Sequence, residues 1–359
     1  MTRRTTRAVT RIAAGAAVVA LLPVLAACGG ADPADDAATA STTITLVTHD
    51  SFAVSEDVLA AFEAESGLTV EQVAPGDAGT LVNQLVLTKD APLGDVVYGV
   101  DNTFASRAVE AGVFEAYQPE DLDPQVAAYA PDDLAGTLTP IDVGDVCLNL
   151  DDGWFDENGV TPPATLEDLT KPEYRDLTVV TNPAMSSPGL AFLLATIGAF
   201  GTDGWQAYWT DLRDNGVKVA ESWEDAYYVD FSGAGEGGQR PIALSYATSP
   251  AFTVSEDGAT STTSAMLGTC FRQVEYAGVL AGTDNADGAK QLVDFLTTQE
   301  FQADVPAQMY MYPADPDVEL PADWQKFAPL ADEPFEVAPS DVAAHRDEWI
   351  EQWTTTVVG

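Results

Sequence analysis

Short β-branched runs alternate with helix-like stretches through most of this chain, and that alternation restricts its fold more than any other feature. Residues 43–48, Thr-Ile-Thr-Leu-Val-Thr, read as a strand because β-branched side chains suit a pleated surface. Residues 55–65 follow as a helix, with Val58, Leu59 and Phe62 on one face and Gly67 as its stop. Residues 68–73 are again strand-like, 81–88 helical and 95–98 a short strand, after which Asp101 and Asn102 are placed to cap a helix ending before Gly112. The pattern then recurs. Strands are expected within 142–150, at 177–181 and at 242–246, and helices at 190–200, 205–213 and 222–231, with a short capped helix opening at Pro163. A returning strand at 273–277 precedes helices at 286–297 and 341–355. Strand–helix–strand units close by right-handed crossovers, so a mostly parallel sheet covered by helices is expected. With 359 residues the chain exceeds what one hydrophobic core usually serves. The expected fold class is therefore α/β in two lobes, joined by crossing strands, with a ligand cleft between them.

The first 28 residues fall outside this pattern. Arg3, Arg4, Arg7 and Arg11 precede an apolar run from Ile12 to Leu25, which is shorter than the ~20 residues a membrane-spanning helix needs. The run ends in Leu25-Ala26-Ala27-Cys28-Gly29-Gly30, a small-residue cleavage site directly before a cysteine. This is the bacterial lipoprotein pattern: residues 1–28 are a signal peptide, and Cys28 takes the lipid and becomes the new N-terminus. An ordinary signal peptide with an incidental cysteine is the plainer alternative. Residues 29–41 are small, polar and acidic and read as a flexible tether. The expected location is the outer face of the cell membrane.

The chain carries 57 Asp+Glu against 15 Lys+Arg, a formal charge of −42. Without the four leader arginines the remainder has 11 Lys+Arg and a charge of −46. Nucleic acid is excluded as a partner, because binding it takes clustered Lys and Arg. An anionic cleft would attract a cationic ligand within a screening length of about 8–10 Å. A few carboxylates suffice for that, and most of the excess reads as solubility.

No catalytic signature stands out. The chain has no GxSxG, HExxH, P-loop or helix-opening GxGxxG, and its histidines number two, His49 and His345. Nothing in it calls for a metal or a cofactor. Candidate ligand positions lie at strand ends, where an open α/β sheet binds. Thr48-His49-Asp50-Ser51-Phe52 follows the first strand, and Tyr98-Gly99-Val100-Asp101-Asn102 follows a later one. Ser186-Ser187-Pro188-Gly189 opens a helix, where hydroxyls and N–H groups either hold an anion or simply cap the helix. Trp223, Tyr227, Tyr228, Tyr246, Tyr310 and Tyr312 offer ring faces to a flat or cationic ligand, or pack in the core.

These segments carry a resemblance. Thr48–Phe52, Gly99–Asn102, Ser186–Leu190, Trp223–Tyr227, Ser245-Tyr-Ala-Thr-Ser-Pro-Ala251, Gln273-Val-Glu275 and Met311-Tyr-Pro313 occur in an order that resembles the thiamine-binding solute-binding proteins of bacterial thiamine ABC transporters. The likeness covers about residues 43–355. It implies a type II periplasmic-binding-protein fold, with lobe 1 at 42–143 and 272–310, lobe 2 at 144–271, and a helical segment at 311–359 packed on the lobes. It implies a monomer, not an enzyme, that captures thiamine or a thiamine phosphate and delivers it to an ABC permease whose ATPase is a separate chain. Carried over by position, the ligand contacts are His49, Asp50, Ser51, Gly99, Asp101, Ser187, Gly189, Trp223, Tyr227, Tyr246 and Tyr310. Asp50 and Asp101 would accept from the aminopyrimidine or offset the thiazolium charge. Ser187 and the Gly189 N–H would serve a hydroxyl or phosphate, and the aromatic residues would supply ring faces. Two positions depart from the family: His49 stands where Tyr is usual, and Tyr310 where Trp is usual. Either change can shift the preference between thiamine and its phosphates.

Two rivals share that fold. A ferric-ion receptor would use Tyr227, Tyr228 and His49 as ligands. A thiaminase-like enzyme would need a thiolate in the cleft. With Cys28 lipidated, Cys147 and Cys270 remain, on segments expected to run near the hinge, where an oxidising exterior favours a disulfide between them.

Overall fold

The computed structural model describes residues 41–234 and 237–359. The expected leader, Cys28 and nearly all of the tether therefore lie outside the described residues. Among the described residues nine strands form one sheet: β1 (Thr43–Thr48), β2 (Thr69–Val73), β3 (Val96–Asp101), β4 (Thr139–Asp151), β5 (Thr178–Thr181), β6 (Lys218–Ala220), β7 (Ile242–Tyr246), β8 (Thr263–Val279) and β9 (Tyr312–Pro313). Their order is β2-β1-β3-β8-β4-β7-β5-β6, with β9 added to β4. The helices are α1 (Glu56–Ser66), α2 (Ala78–Leu87), α3 (Ala105–Glu110), α4 (Pro124–Ala127), α5 (Asp152–Asn158), α6 (Ser187–Asp214), α7 (Ala286–Leu296), α8 (Gln299–Met309), α9 (Trp324–Phe327) and α10 (Pro339–Val357).

The sheet is mixed rather than mostly parallel. β1 runs parallel to β2 and β3, and β5 runs parallel to β6 and β7. Between these two parallel ends pass β4, of 13 residues, and β8, of 17, antiparallel to each other and to their outer neighbours. Each long strand serves both ends. β8 pairs with β3 through its last residues, while its first four pair with the end of β4 that borders β7. Two α/β lobes are thus joined by one antiparallel pair. Only the end of β8, near 273–277, is strand-like by pattern; the earlier part is long and of mixed polarity.

The antiparallel pair is irregular at the crossing. Val146 and Leu148 of β4 face Phe271 and Met266 of β8, so β8 accommodates extra residues opposite Cys147. The Thr269 hydroxyl fills the gap: it accepts the Leu148 N–H at 3.1 Å and donates to the Met266 carbonyl at 2.7 Å. The expected disulfide is present here, Cys147 to Cys270, with Cα atoms 4.3 Å apart, packed against Ala247 and Ala331.

Local chemistry explains most element ends. Gly67 stops α1 at φ 71° and donates its N–H to the Glu63 carbonyl. Asp77 caps α2, its carboxylate accepting the Ala78 N–H at 2.6 Å. The two helices expected at 190–200 and 205–213 are one element, α6, broken at Gly201 (φ 69°, ψ 172°). Asp101 does not sit at the N-cap of α3, which falls at Phe104 without a side-chain cap; it closes the turn before the helix, accepting the N–H groups of Thr103 and Phe104. Asn102 does not cap; its amide instead bonds the Arg272 carbonyl and the Val274 N–H, copying a strand edge. α8 was not legible because Pro306 sits inside it. At the far end, Trp353 of α10 is fully buried edge-on to Trp209 of α6, 5.4 Å between rings, and fastens the C-terminal helix to the body.

Candidate functional site

The ends of β1 and β7, the starts of α2 and α6, the turn after β6, the middle of β8 and the end of α8 converge on a cavity of about 340 Å³. That volume suits a small organic molecule. It lies beyond the carboxyl end of β1, as expected for an open α/β sheet.

Aromatic rings make one wall, and Trp223 is its centre. Tyr227 stacks behind it at 5.2 Å and 14° between planes, while Tyr228, Tyr246 and Tyr310 approach at 5.4, 6.2 and 6.1 Å. The Trp223 indole N–H donates to the Ser245 hydroxyl at 3.0 Å, and its backbone N–H donates to the Asp77 carboxylate at 3.1 Å. Ser245 in turn shares a 2.7 Å hydrogen bond with Ser249, and the Thr248 hydroxyl donates to the Tyr310 carbonyl. Tyr310 ends α8 in the left-handed conformation, φ 58°. The Ser-Tyr-Ala-Thr-Ser-Pro run thus uses its hydroxyls to hold Trp223 and Tyr310 rather than to line the cavity. Residues 222–231, expected as a helix, form a wide π-helical turn at Asp225–Asp230, which buries Tyr227 and leaves Tyr228 partly exposed at the cavity.

The floor is polar and buried. His49 Nε2 lies 3.5 Å from Glu275 Oε2, and Gln273 donates to Glu275 Oε1 at 2.9 Å and to the Tyr246 hydroxyl at 3.4 Å. Burial by itself would lower the His49 pKa. The Glu275 carboxylate outweighs that and pushes it up to about 9, so the imidazole is charged at neutral pH. Beside this pair stand Asp50, Asp77 and Glu224. Burial raises the pKa of both Asp77 and Glu224; the His49 charge, and for Asp77 also the Ala78 N–H, offset this only in part. Among the described residues no Lys or Arg lines the cavity.

Of the residues picked from the sequence, His49, Asp50, Ser51, Ser187, Trp223, Tyr246 and Tyr310 line the cavity together. Gly99, Asp101, Gly189 and Tyr227 stand behind its wall. Gly99, at φ 91°, passes so close under His49 that a Cβ would lie 2.1 Å from the ring. Gly189 packs on the Thr181 carbonyl, 2.6 Å from where its Cβ would be. Asp101 is fully buried and accepts the Ser187 hydroxyl as well as the Thr103 hydroxyl, tying the end of β3 to the start of α6. Burial pushes its pKa up to about 7, partly offset by its hydrogen bonds from Thr103 and Phe104. Asp77 and the roles of Glu224 and Glu275 escaped sequence reading. Asp77 looks like a plain helix cap, and the adjacency of Glu224 to Trp223 was the one local hint.

The rival sites do not assemble. Tyr227 lies behind Trp223, so Tyr227, Tyr228 and His49 do not face the cavity as a set; the Tyr228 hydroxyl meets that of Tyr310 at 3.3 Å. Among the described residues no group of three or more His, Cys, Asp or Glu is placed to hold a metal ion. Cys147 and Cys270 are bonded to each other, so neither presents a thiolate.

Comparison with known proteins places this architecture. Residues 91–333 match the family model described as bacterial extracellular solute-binding protein. The thiamine-binding periplasmic protein of Escherichia coli (strain K12) is 30% identical over 323 residues, spanning 87% of this chain and 93% of that one. The solved structure of a periplasmic thiamin binding protein superposes with a TM-score of 0.74 at 27% identity, covering 88% of this chain and 96% of that chain. Iron-bound HitA from Pseudomonas aeruginosa, at 20% identity and a TM-score of 0.66 over 87% of this chain and 99% of its own, shares the two-lobed fold.

Proposed function

The chain belongs to the bacterial extracellular solute-binding proteins, and we propose that it captures thiamine outside the cytoplasm and delivers it to an ABC permease. The observation that carries this reading is a cavity walled by Trp223, Tyr228, Tyr246 and Tyr310, rich in carboxylates and, among the described residues, without a lining Lys or Arg. Thiamine is a flat, permanently cationic molecule with an aminopyrimidine at one end and a hydroxyl at the other. Ring faces stabilise such a cation by ~0.5–2 kcal/mol each. Asp50, Asp77 and Glu224 offset its charge, and Ser187 serves the hydroxyl end. The relatives bearing the thiamine-binding name support the same ligand.

Residues from both lobes surround the cavity, so the ligand completes its contacts when the lobes close, and binding favours the closed state by that difference. The closed form then docks on the permease, whose ATPase is a separate chain. Cys28 carries a lipid that holds the monomer at the outer face of the cell membrane, with residues 29–41 as the tether. No bond is made or broken in this reading, and no cofactor is needed.

Isothermal calorimetry tests it. Thiamine should bind one to one, and ferric citrate should give no heat and no visible charge-transfer band. Absence of heat with thiamine, or a ferric band, would refute the proposal.

A further inference from the structure

We infer that the start of α2 is the latch that holds the two lobes closed, and that Asp77 is a positioning residue for Trp223; the thiamine reading above supplies the probe that tests this. An aspartate at a helix N-cap ordinarily accepts the second or third N–H of its own helix. In α2 those groups belong to Gly79 and Thr80, and Asp77 takes neither. One carboxylate oxygen accepts the adjacent Ala78 N–H at 2.6 Å, and the other accepts the Trp223 N–H at 3.1 Å, 146 residues away. The Gly79 and Thr80 N–H groups go instead to the Met185 carbonyl, at 2.9 and 3.3 Å. In the chain α2 lies between β2 and β3, at one end of the sheet, whereas Met185 follows β5 and Trp223 follows β6, at the opposite end. The first turn of a helix cannot satisfy its own N–H groups, and here the other lobe does so.

The fit leaves no slack. A Cβ on Gly79 would lie 2.7 Å from the carbonyl oxygens of both Ala184 and Met185. Asp77 is buried and lines the cavity with Trp223. Its bond to the Trp223 N–H ties the backbone that carries the central ring to the opposite lobe. The Ser187 hydroxyl on Asp101 joins the same two ends of the sheet. When the lobes part, the N–H groups of Gly79, Thr80 and Trp223 exchange these partners for water. When the lobes close, the same bonds set Trp223 where the ligand meets it. Closure and assembly of the aromatic wall are therefore one event, and the affinity measured for a ligand falls with the fraction of protein able to close.

Two variants of the purified protein test it, by calorimetry with thiamine and by small-angle X-ray scattering with and without it. Alanine forms helix better than glycine, so Gly79→Ala should leave Tm unchanged or raised. Its methyl group should wedge the lobes apart, giving a larger radius of gyration at saturating thiamine than the wild type and binding weaker by roughly tenfold or more. Asp77→Asn keeps the shape but offers one acceptor oxygen to two N–H donors, so it too should enlarge the radius of gyration at saturation. Wild-type scattering and affinity in Gly79→Ala overturn the latch. So does a Gly79→Ala Tm lowered by many degrees, because the contact would then belong to the permanent fold. Weaker binding by Asp77→Asn with wild-type scattering at saturation overturns the positioning role and leaves Asp77 a charge partner alone. If the wild type binds no thiamine, the thiamine reading falls by itself. The latch is then decided by ligand-free scattering of the wild type against Gly79→Ala: a more open variant sustains it, and equal profiles overturn it.

Discussion

Replacing Glu275 by Gln isolates the charge that sets the cavity floor. His49 is buried, and burial alone would hold its pKa below the ordinary 6.5. The Glu275 carboxylate, 3.5 Å away, reverses this and brings it to about 9. Glutamine keeps the shape and the contact with Gln273 but removes the charge. The His49 pKa should then fall to near or below 6.5, a change worth about 3 kcal/mol at ~1.4 kcal/mol per pH unit. The chain has two histidines, and the other, His345, is exposed, so imidazole NMR titration resolves His49 without ambiguity. Thermal stability gives an independent readout. A histidine whose pKa is raised by folding contributes stability that is full below about 6.5 and is lost as pH climbs through 9. The Tm of the wild type should fall across that window, and the Tm of Glu275→Gln should fall less. The reasoning fails if wild-type His49 titrates near 6.5, or if it still titrates near 9 in the variant.

Trp223→Ala removes the central ring face and should weaken thiamine binding by about 2–3 kcal/mol, roughly 30- to 150-fold in Kd, with Trp223→Phe recovering much of it; calorimetry within tenfold of wild type for the alanine variant would count against stacking. Tyr227→Ala should cost less than Trp223→Ala, because Tyr227 acts through the ring in front of it. Gly99→Ala should destabilise the fold by ~1–3 kcal/mol in denaturant melts and displace His49, visible as a lowered His49 pKa; an unchanged pKa would show that the ring tolerates the methyl. Converting Cys147 and Cys270 together to alanine opens a 123-residue separation and should cost up to ~5 kcal/mol by the chain-entropy relation, lowering Tm by about 5–15 °C; an unshifted Tm would mean that the hinge strands are held by their ladder alone.

Local order was legible in the residues because its causes are local. The β-branched run at 43–48, the stop at Gly67, the Asp101 turn and the Ser-Ser-Pro-Gly helix start each draw on neighbours a few positions away. The alternation of strands and helices carried the α/β class, and the order of short motifs carried the family. His49 and Tyr246 could be named as candidates because a strand end is itself a local property, and Trp223 and Tyr310 because of their ring faces.

What the tertiary structure alone decided depends on contacts between distant residues. Asp77 reads as a helix cap until its second oxygen is found on the Trp223 N–H, 146 residues away. Glu275 becomes the partner of His49 only when β8 lies antiparallel beside β3 and β4. Asp101 and Tyr227, strong candidates by type and position, stand behind the wall because Ser187 and Trp223 come between them and the cavity. The strongly acidic composition by itself argues against nucleic acid as a partner and does not say where the charge gathers. Its chemical meaning arises where chain reversal gathers four carboxylates and one neutralised imidazole around a single cavity, because charge interactions depend on distance in space and not on separation along the chain.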